Sequence, residues 1–281
     1  MPRKARYSNA SKKKDSRKTG VSSQRFRKDP AFEGSRRAMA ELGLGSRAAT
    51  LIRQAFRPMM TLMSQRGPHR QLTRVITNLI RKKKSAGAKR IRLNQLEWEG
   101  LEKFDFGMES NLTALLTSDY KCTIHRDTSM ITVSLSGVAA SDAVHTMPEI
   151  THVSITAAAA AIDFEKEKIN KCFAQTPLVS ATKDSAETIH LSLQLPHPVI
   201  HPLLVVMGFA IFKEDNLQVY ELNNSRYRTI SVISAQPAPP PVYKQKATRP
   251  TKPASRASQH TSAQKKTAKK IARPTSKRAR R

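Results

Sequence analysis

Three groups of residues have the types that chemistry requires. His197 and His201 lie four apart in His197-Pro198-Val199-Ile200-His201-Pro202. In an extended chain two rings at that spacing face the same way, which is the beginning of a metal site. A site needs a third ligand and a supporting shell, and the nearest carboxylates, Glu187 and Glu214, are ten or more residues away. The pair reads as a stiff turn between strands, and no metal is expected. Ser141, Asp142, His145 and Glu149 hold the ingredients of a nucleophile, a base and an acid. Such sets are defined by geometry, no GxSxG elbow is present, and a solvated loop explains the same residues. The chain also lacks a P-loop and a GxGxxG turn, so a nucleotide-dependent enzyme of the familiar kinds is not expected. No catalytic residue and no cofactor emerge from these patterns, and the reading is of a non-enzymatic protein.

The third group is basic, and it is segregated. Of the net +29, residues 1–28 carry +10, residues 29–95 carry +12 and residues 236–281 carry +14, while residues 96–235 carry −7. Lys and Arg that pair with phosphates release counterions, giving binding that is strong, blind to sequence and sensitive to salt. The expected contacts are Arg70, Arg74 and Arg81 on a helix, Lys82, Lys83, Lys84, Lys89 and Arg90 beyond it, and Lys265, Lys266, Lys269, Lys270, Lys277 and Arg278 in the C-terminal tail. Nucleic acid, DNA or RNA, is the expected partner. Tyr7, Phe26 and Tyr243 are the only aromatics in residues 1–28 and 236–281, so contact with the backbone is expected rather than stacking on bases. The alternative is a scaffold in which the β part binds a protein partner and the tails meet anionic surfaces. A solvated charged face is the plain explanation of one basic helix. Two acid-poor tails ask for more, because solubility needs charge of either sign.

The elements that carry these residues can be read from composition and periodicity. Residues 1–28 have almost nothing apolar and are expected to be disordered. Residues 236–281 start Pro-rich and continue as a low-complexity basic tail. Between them, Asp29-Pro30 is a helix start. Gly43 and Gly45 are expected to interrupt that helix, and a second helix is expected from about Arg47 to Met63, kinked or ended by Pro58. After the break at Gly67-Pro68, Leu72, Val75, Ile76, Leu79 and Ile80 mark a third helix, with Arg70, Arg74 and Arg81 on its opposite side.

From Trp98 onward the pattern alternates. Tyr120–His125, Met130–Ser136, His152–Thr156, Ile189–Leu195, Leu203–Phe212, Leu217–Leu222 and Thr229–Ile233 read as strands. A buried helix is the alternative for Leu203–Phe212, which is apolar throughout. Ala157–Ala161 is read as a strand whose small side chains admit a close neighbouring layer. Asn223-Asn224-Ser225-Arg226 is read as the turn of a hairpin between the last two strands. The run Glu165-Lys166-Glu167-Lys168 reads as a solvated strand edge or turn. The fold class is therefore mainly β: an antiparallel, immunoglobulin-like β-sandwich over residues 96–235, preceded by a short α-helical segment over 29–95, with disordered basic tails. Cys122 and Cys172, without ligand spacing, read as reduced thiols that act as small hydrophobes, with a disulfide between them as the alternative. No apolar run approaches a membrane span and no signal-peptide core is present, so the expected location is cytoplasmic.

Three stretches carry a resemblance: the run from Arg27 to Gly43, which includes Asp29-Pro30-Ala31-Phe32-Glu33-Gly34; Ala161-Ile162-Asp163-Phe164; and Tyr220-Glu221-Leu222-Asn223-Asn224. Together they resemble a group of uncharacterised bacterial proteins with a short helical N-terminal part and a following β domain. The likeness covers about residues 27–235 and leaves both basic tails outside. It implies the architecture and no activity.

Overall fold

The computed structural model describes residues 21–62, 69–88, 90–107, 111–116, 119–136, 150–180, 188–196, 198–222 and 228–240. The first helix, α1 (Ser23–Lys28), is capped by the Ser22 hydroxyl, which accepts from the Arg25 N–H. These residues fall within the stretch expected to be disordered. What orders them is a local cluster: Phe26 packs on Phe32 with centroids 5.5 Å apart, and the Arg36 guanidinium donates to the carbonyls of Phe26 and Asp29. The Asp29 carboxylate accepts from Ala31 N–H and opens a 3-10 turn at Pro30–Phe32, as the Asp-Pro pair predicts.

A single helix, α2 (Glu33–Leu62), runs through Gly43, Gly45 and Pro58 and continues a turn beyond the proline. The expected interruption at Gly43 and Gly45, and an ending of the helix at Pro58, are corrected here. Ala55, Phe56, Met59 and Met60, on both sides of Pro58, are all buried, and that packing outweighs the roughly 3 kcal/mol a helical proline costs. Gly45 does not break the helix but lets it touch another. A Cβ there would collide with the Thr77 hydroxyl of α3 (His69–Ser85). The α3 stripe faces inward as its periodicity predicts, with Leu72, Ile76 and Ile80 almost fully buried.

The strands are β1 (Tyr120–His125), β2 (Met130–Leu135), β3 (His152–Asp163), β4 (Lys168–Gln175), β5 (Val179–Ser180), β6 (Ile189–Gln194), β7 (Leu203–Asp215), β8 (Gln218–Glu221) and β9 (Thr229–Gln236). A short helix, α4 (Leu112–Leu115), precedes β1. All pairings are antiparallel. One sheet has the order β1-β2-β6; the other has β4-β3-β7, with β5 beside β3, and with β8 and β9 following one another along the far side of β7. Leu203–Phe212 is thus a strand, and so is the alanine run.

The expected hairpin between the last two strands is absent. β8 and β9 both pair with β7: Phe212 lies opposite Glu221, and Phe209 opposite Thr229. The tight turn sits earlier, at Asn216-Leu217, where both residues have positive φ (50° and 66°), as a two-residue hairpin demands. Residues 223–226, the expected turn, lie outside the described residues. β4 is also new. Its apolar positions are few, and the charged run forms the β3–β4 turn up to Glu167 and enters β4 at Lys168.

β3 and β7 are buried on both faces. Val153, Ile155, Ala157, Ala159, Val205, Met207 and Phe209 pack toward Ile131, Val133, Leu191 and Leu193 of the smaller sheet. Ala158, Ala160, Leu204 and Val206 pack toward Ile52, Phe56, Ile76 and Trp98 on the helical side. The result is three layers, helices, large sheet and small sheet. The helical segment followed by antiparallel sheets is as expected. Mainly β fits only roughly, because helix and strand take near-equal shares, and nothing in the strand order singles out an immunoglobulin-like arrangement.

Asp163 pins the helical layer to the sheet. Its Oδ1 accepts from Asn94 Nδ2 at 2.9 Å and from the N–H groups of Glu165 and Lys166, while Asn94 Oδ1 accepts from Phe164 N–H. Beside it the Trp98 ring stacks on Phe164 at 4.5 Å. Burial pushes the Asp163 carboxyl upward, but the Asn94 amide and the two backbone donors outweigh it and hold it below the usual aspartate range.

Gly43→Ala, with open space around the new Cβ, is expected to stabilise the chain by up to about 1 kcal/mol, whereas Gly45→Val is expected to cost roughly 1–3 kcal/mol by forcing α2 from α3. Urea unfolding of the two variants checks the contrast. Asp163→Ala strands two backbone donors and the Asn94 amide and is expected to cost about 2 kcal/mol. Because the folded carboxyl is depressed, its contribution is complete above the unfolded value near about 3.9 and is lost as pH falls through the folded value. The gap in urea midpoint between the native chain and Asp163→Asn should therefore be widest near neutral pH and close in acid.

Candidate nucleic-acid interface

Small residues decide how α2 and α3 meet. Gly45 faces the crossing, one turn before the fully buried Ala48 and Ala49, and Thr77 fills the contact while donating its hydroxyl to Thr73 O at 2.7 Å. The apolar stripe of α2 points at the sheet and that of α3 at α2 and the segment around Trp98, so the outward faces form the walls of a cleft. Its volume is about 410 Å³, and its lining is Leu42, Ser46 and Arg53 from α2 with Arg70, Thr73, Arg74, Thr77, Asn78 and Arg81 from α3. Four guanidiniums, three hydroxyls and one amide converge there, with no carboxylate among the lining residues.

The sequence-derived stripe is thus gathered into a concave surface. Arg70 and Arg74 are exposed, one turn apart, about 6 Å along the axis. Neither has an acidic partner among the described residues. Arg53 extends from the opposite wall and donates to Thr50 Oγ1 at 2.9 Å. The remaining cations of α3 are engaged by acids from other elements. Glu41 of α2 receives Lys84 Nζ at 2.6 Å and Arg81 Nε at 3.3 Å, and Glu97 lies 3.4 Å from Lys82 and 3.6 Å from Lys83. The hydrogen bond from Lys84 leads the effects that hold the Glu41 carboxyl below its ordinary value. Lys82–Lys84, a uniform basic cluster in the sequence, is therefore already partly neutralised in the fold.

Arg90 is exposed after α3. Lys89, Lys265, Lys266, Lys269, Lys270, Lys277 and Arg278 lie outside the described residues, as do Ser141, Asp142, His145, Glu149 and His197. His201 stands 3.8 Å from Asp163 rather than in a ligand set, and among the described residues no three His, Cys, Asp or Glu side chains gather as a metal site. Cys122 and Cys172 are free and half-buried, and burial raises both thiols, Cys122 to about 11, so neither is a ready nucleophile. No described helix is long and apolar enough to cross a membrane.

Sequence reasoning missed Arg53, Ser46, Thr73, Thr77 and Asn78. A signal for the α2 wall existed: Leu42, Ser46 and Arg53 recur at helical spacing beside the small residues Gly45, Ala48 and Ala49. Reading Gly45 as a break hid it. Compared with known proteins, the chain matches no family model, no curated protein and no solved structure.

Proposed function

We propose that the chain is a non-enzymatic protein that holds the phosphate backbone of nucleic acid, without reading its sequence, through the α2–α3 cleft and its basic flanks. The observation that carries the reading is the convergence of Arg53, Arg70, Arg74 and Arg81 on one cleft. Guanidinium forks match phosphate oxygens two at a time, and they cannot lose their charge. Hydroxyl and amide side chains between them suit contacts to phosphate and sugar, which set position without specifying bases. No aromatic ring lines the cleft, so it offers nothing for bases to stack on.

Charge distribution supports the same reading. The β portion, at −7, repels phosphate and confines contact to the helical face and the flanks. The flanks contribute cations by number, and the cleft contributes cations held in place.

Fluorescence anisotropy of a labelled oligonucleotide, titrated with the full chain across salt concentrations, tests the reading. The Arg70→Ala/Arg74→Ala variant is expected to bind roughly tenfold more weakly near 0.1 M salt. Its slope of log K against log salt should be shallower by about two, since each lost phosphate contact removes about 0.9. Both side chains are exposed, so the melting temperature should stay the same. Removal of residues 241–281, which hold fourteen Lys and Arg, should flatten the slope further. Absence of binding by the full chain at low salt would overturn the reading, and an unchanged slope in the arginine variant would remove the cleft from it.

A further inference from the structure

We infer that Arg81 and Lys84 form a discrete phosphate subsite at the end of the cleft, occupied in the free protein by the Glu41 carboxylate, which a backbone phosphate displaces. The inference rests on the phosphate-binding reading above and names how one end of that site works. Glu41 spreads its two oxygens over two donors, Oε1 on Lys84 Nζ and Oε2 on Arg81 Nε. A phosphate presents its oxygens to the same donors in the same way. Arg81 and Lys84 are three apart on α3, so they share a face, and Arg81 also lines the cleft. A strand lying along Arg70 and Arg74 reaches the subsite about 10 Å further along the helix axis.

The Glu41 side chain is only 14% exposed, while Arg81 and Lys84 are 54% and 37% exposed. The carboxylate is tucked against the helices and the cations face outward, where a ligand meets them. Glu41 belongs to α2, so its release breaks only these two side-chain bonds and leaves the backbone of α3 intact. The pairs of Glu97 with Lys82 and Lys83 are different in kind. They are longer, at 3.4 and 3.6 Å, Glu97 is 54% exposed, and neither lysine lines the cleft. Partly exposed pairs are weak, so exchange of Glu41 for phosphate is a near-balanced swap driven by counterion release. Once displaced, Glu41 remains near the bound backbone and repels it.

The test is the same anisotropy titration with charge-matched variants of the full chain. Glu41→Gln is expected to tighten binding about three- to tenfold at low salt, a gain of the size expected when a partly exposed pair is released and a repulsion removed. Glu33→Gln removes the same charge from the same helix, away from the cleft, where Glu33 pairs only locally with Arg37, and should leave affinity unchanged. Arg81→Ala/Lys84→Ala should weaken binding several-fold more than Lys82→Ala/Lys83→Ala, although both remove two charges from the same helix end. Equal effects within either comparison would show a diffuse field and overturn the subsite. Should Glu41→Gln lower the melting temperature, the two double variants decide the matter alone. If the unsubstituted chain fails to bind, the phosphate reading falls instead.

Discussion

Ten consecutive pairs, from His152–Phe212 to Ala161–Leu203, join β3 to β7, and both faces of this ribbon are buried. Each face is largely apolar, so each must be covered, and the two coverings differ. β1, β2 and β6 close one side through Ile131, Val133, Leu191 and Leu193. The helices close the other, and there the apolar side chains of β3 before Ile162 are only Ala158 and Ala160, next to the buried Ser154 and Thr156. Small residues let α2 lie close to the sheet, while Leu204 and Val206 of β7 supply the bulk. An alanine run that is weak as a strand former is held in the sheet by burial on both sides.

The cleft is a consequence of that packing. α2 spends its apolar face on the sheet, and α3 spends its own on α2 and the segment around Trp98. What remains outward is mostly polar, apart from Met39 and Leu42, and because Gly45 lets the helices touch, their outward faces meet at an angle rather than lying apart. The same docking brings Glu41 and Glu97 beside the end of α3. Two carboxylates thereby divide one helix, with six cations and no acid in its sequence, into an open half around Arg70 and Arg74 and a paired half from Arg81 to Lys84.

Legibility in the sequence tracked how local each cause was. The α3 stripe and the strands Tyr120–His125, Met130–Leu135 and Ile189–Gln194 are written in the periodicity, because one buried face leaves a regular pattern. β4 was missed because its own apolar positions are few and half-exposed, and its place in the sheet comes from pairing with β3. The false breaks at Gly43 and Gly45, and the reading that Pro58 could end the helix, came from weighing backbone propensity without the burial of Ala48, Ile52, Phe56 and Met59 that overrides it. The hairpin was misplaced because Asn216-Leu217 carries a residue rarely found at positive φ, while Asn223-Asn224 looked the better turn. Within the candidate site, the arginines of α3 were legible as a stripe. Arg53 was not, since nothing local says that α2 stands across from them.

By itself the sequence determined the charge segregation, the helical and extended periodicities and the small-residue run in β3, because each depends only on residue type and spacing along one element. The tertiary structure decided which cations face a common cleft, which are already paired with carboxylates, and where the chain turns back. Those outcomes depend on distances between elements far apart in the chain. Glu41 and Lys84 are 43 positions apart yet 2.6 Å in contact, and only the packing of α2 on α3 brings them together.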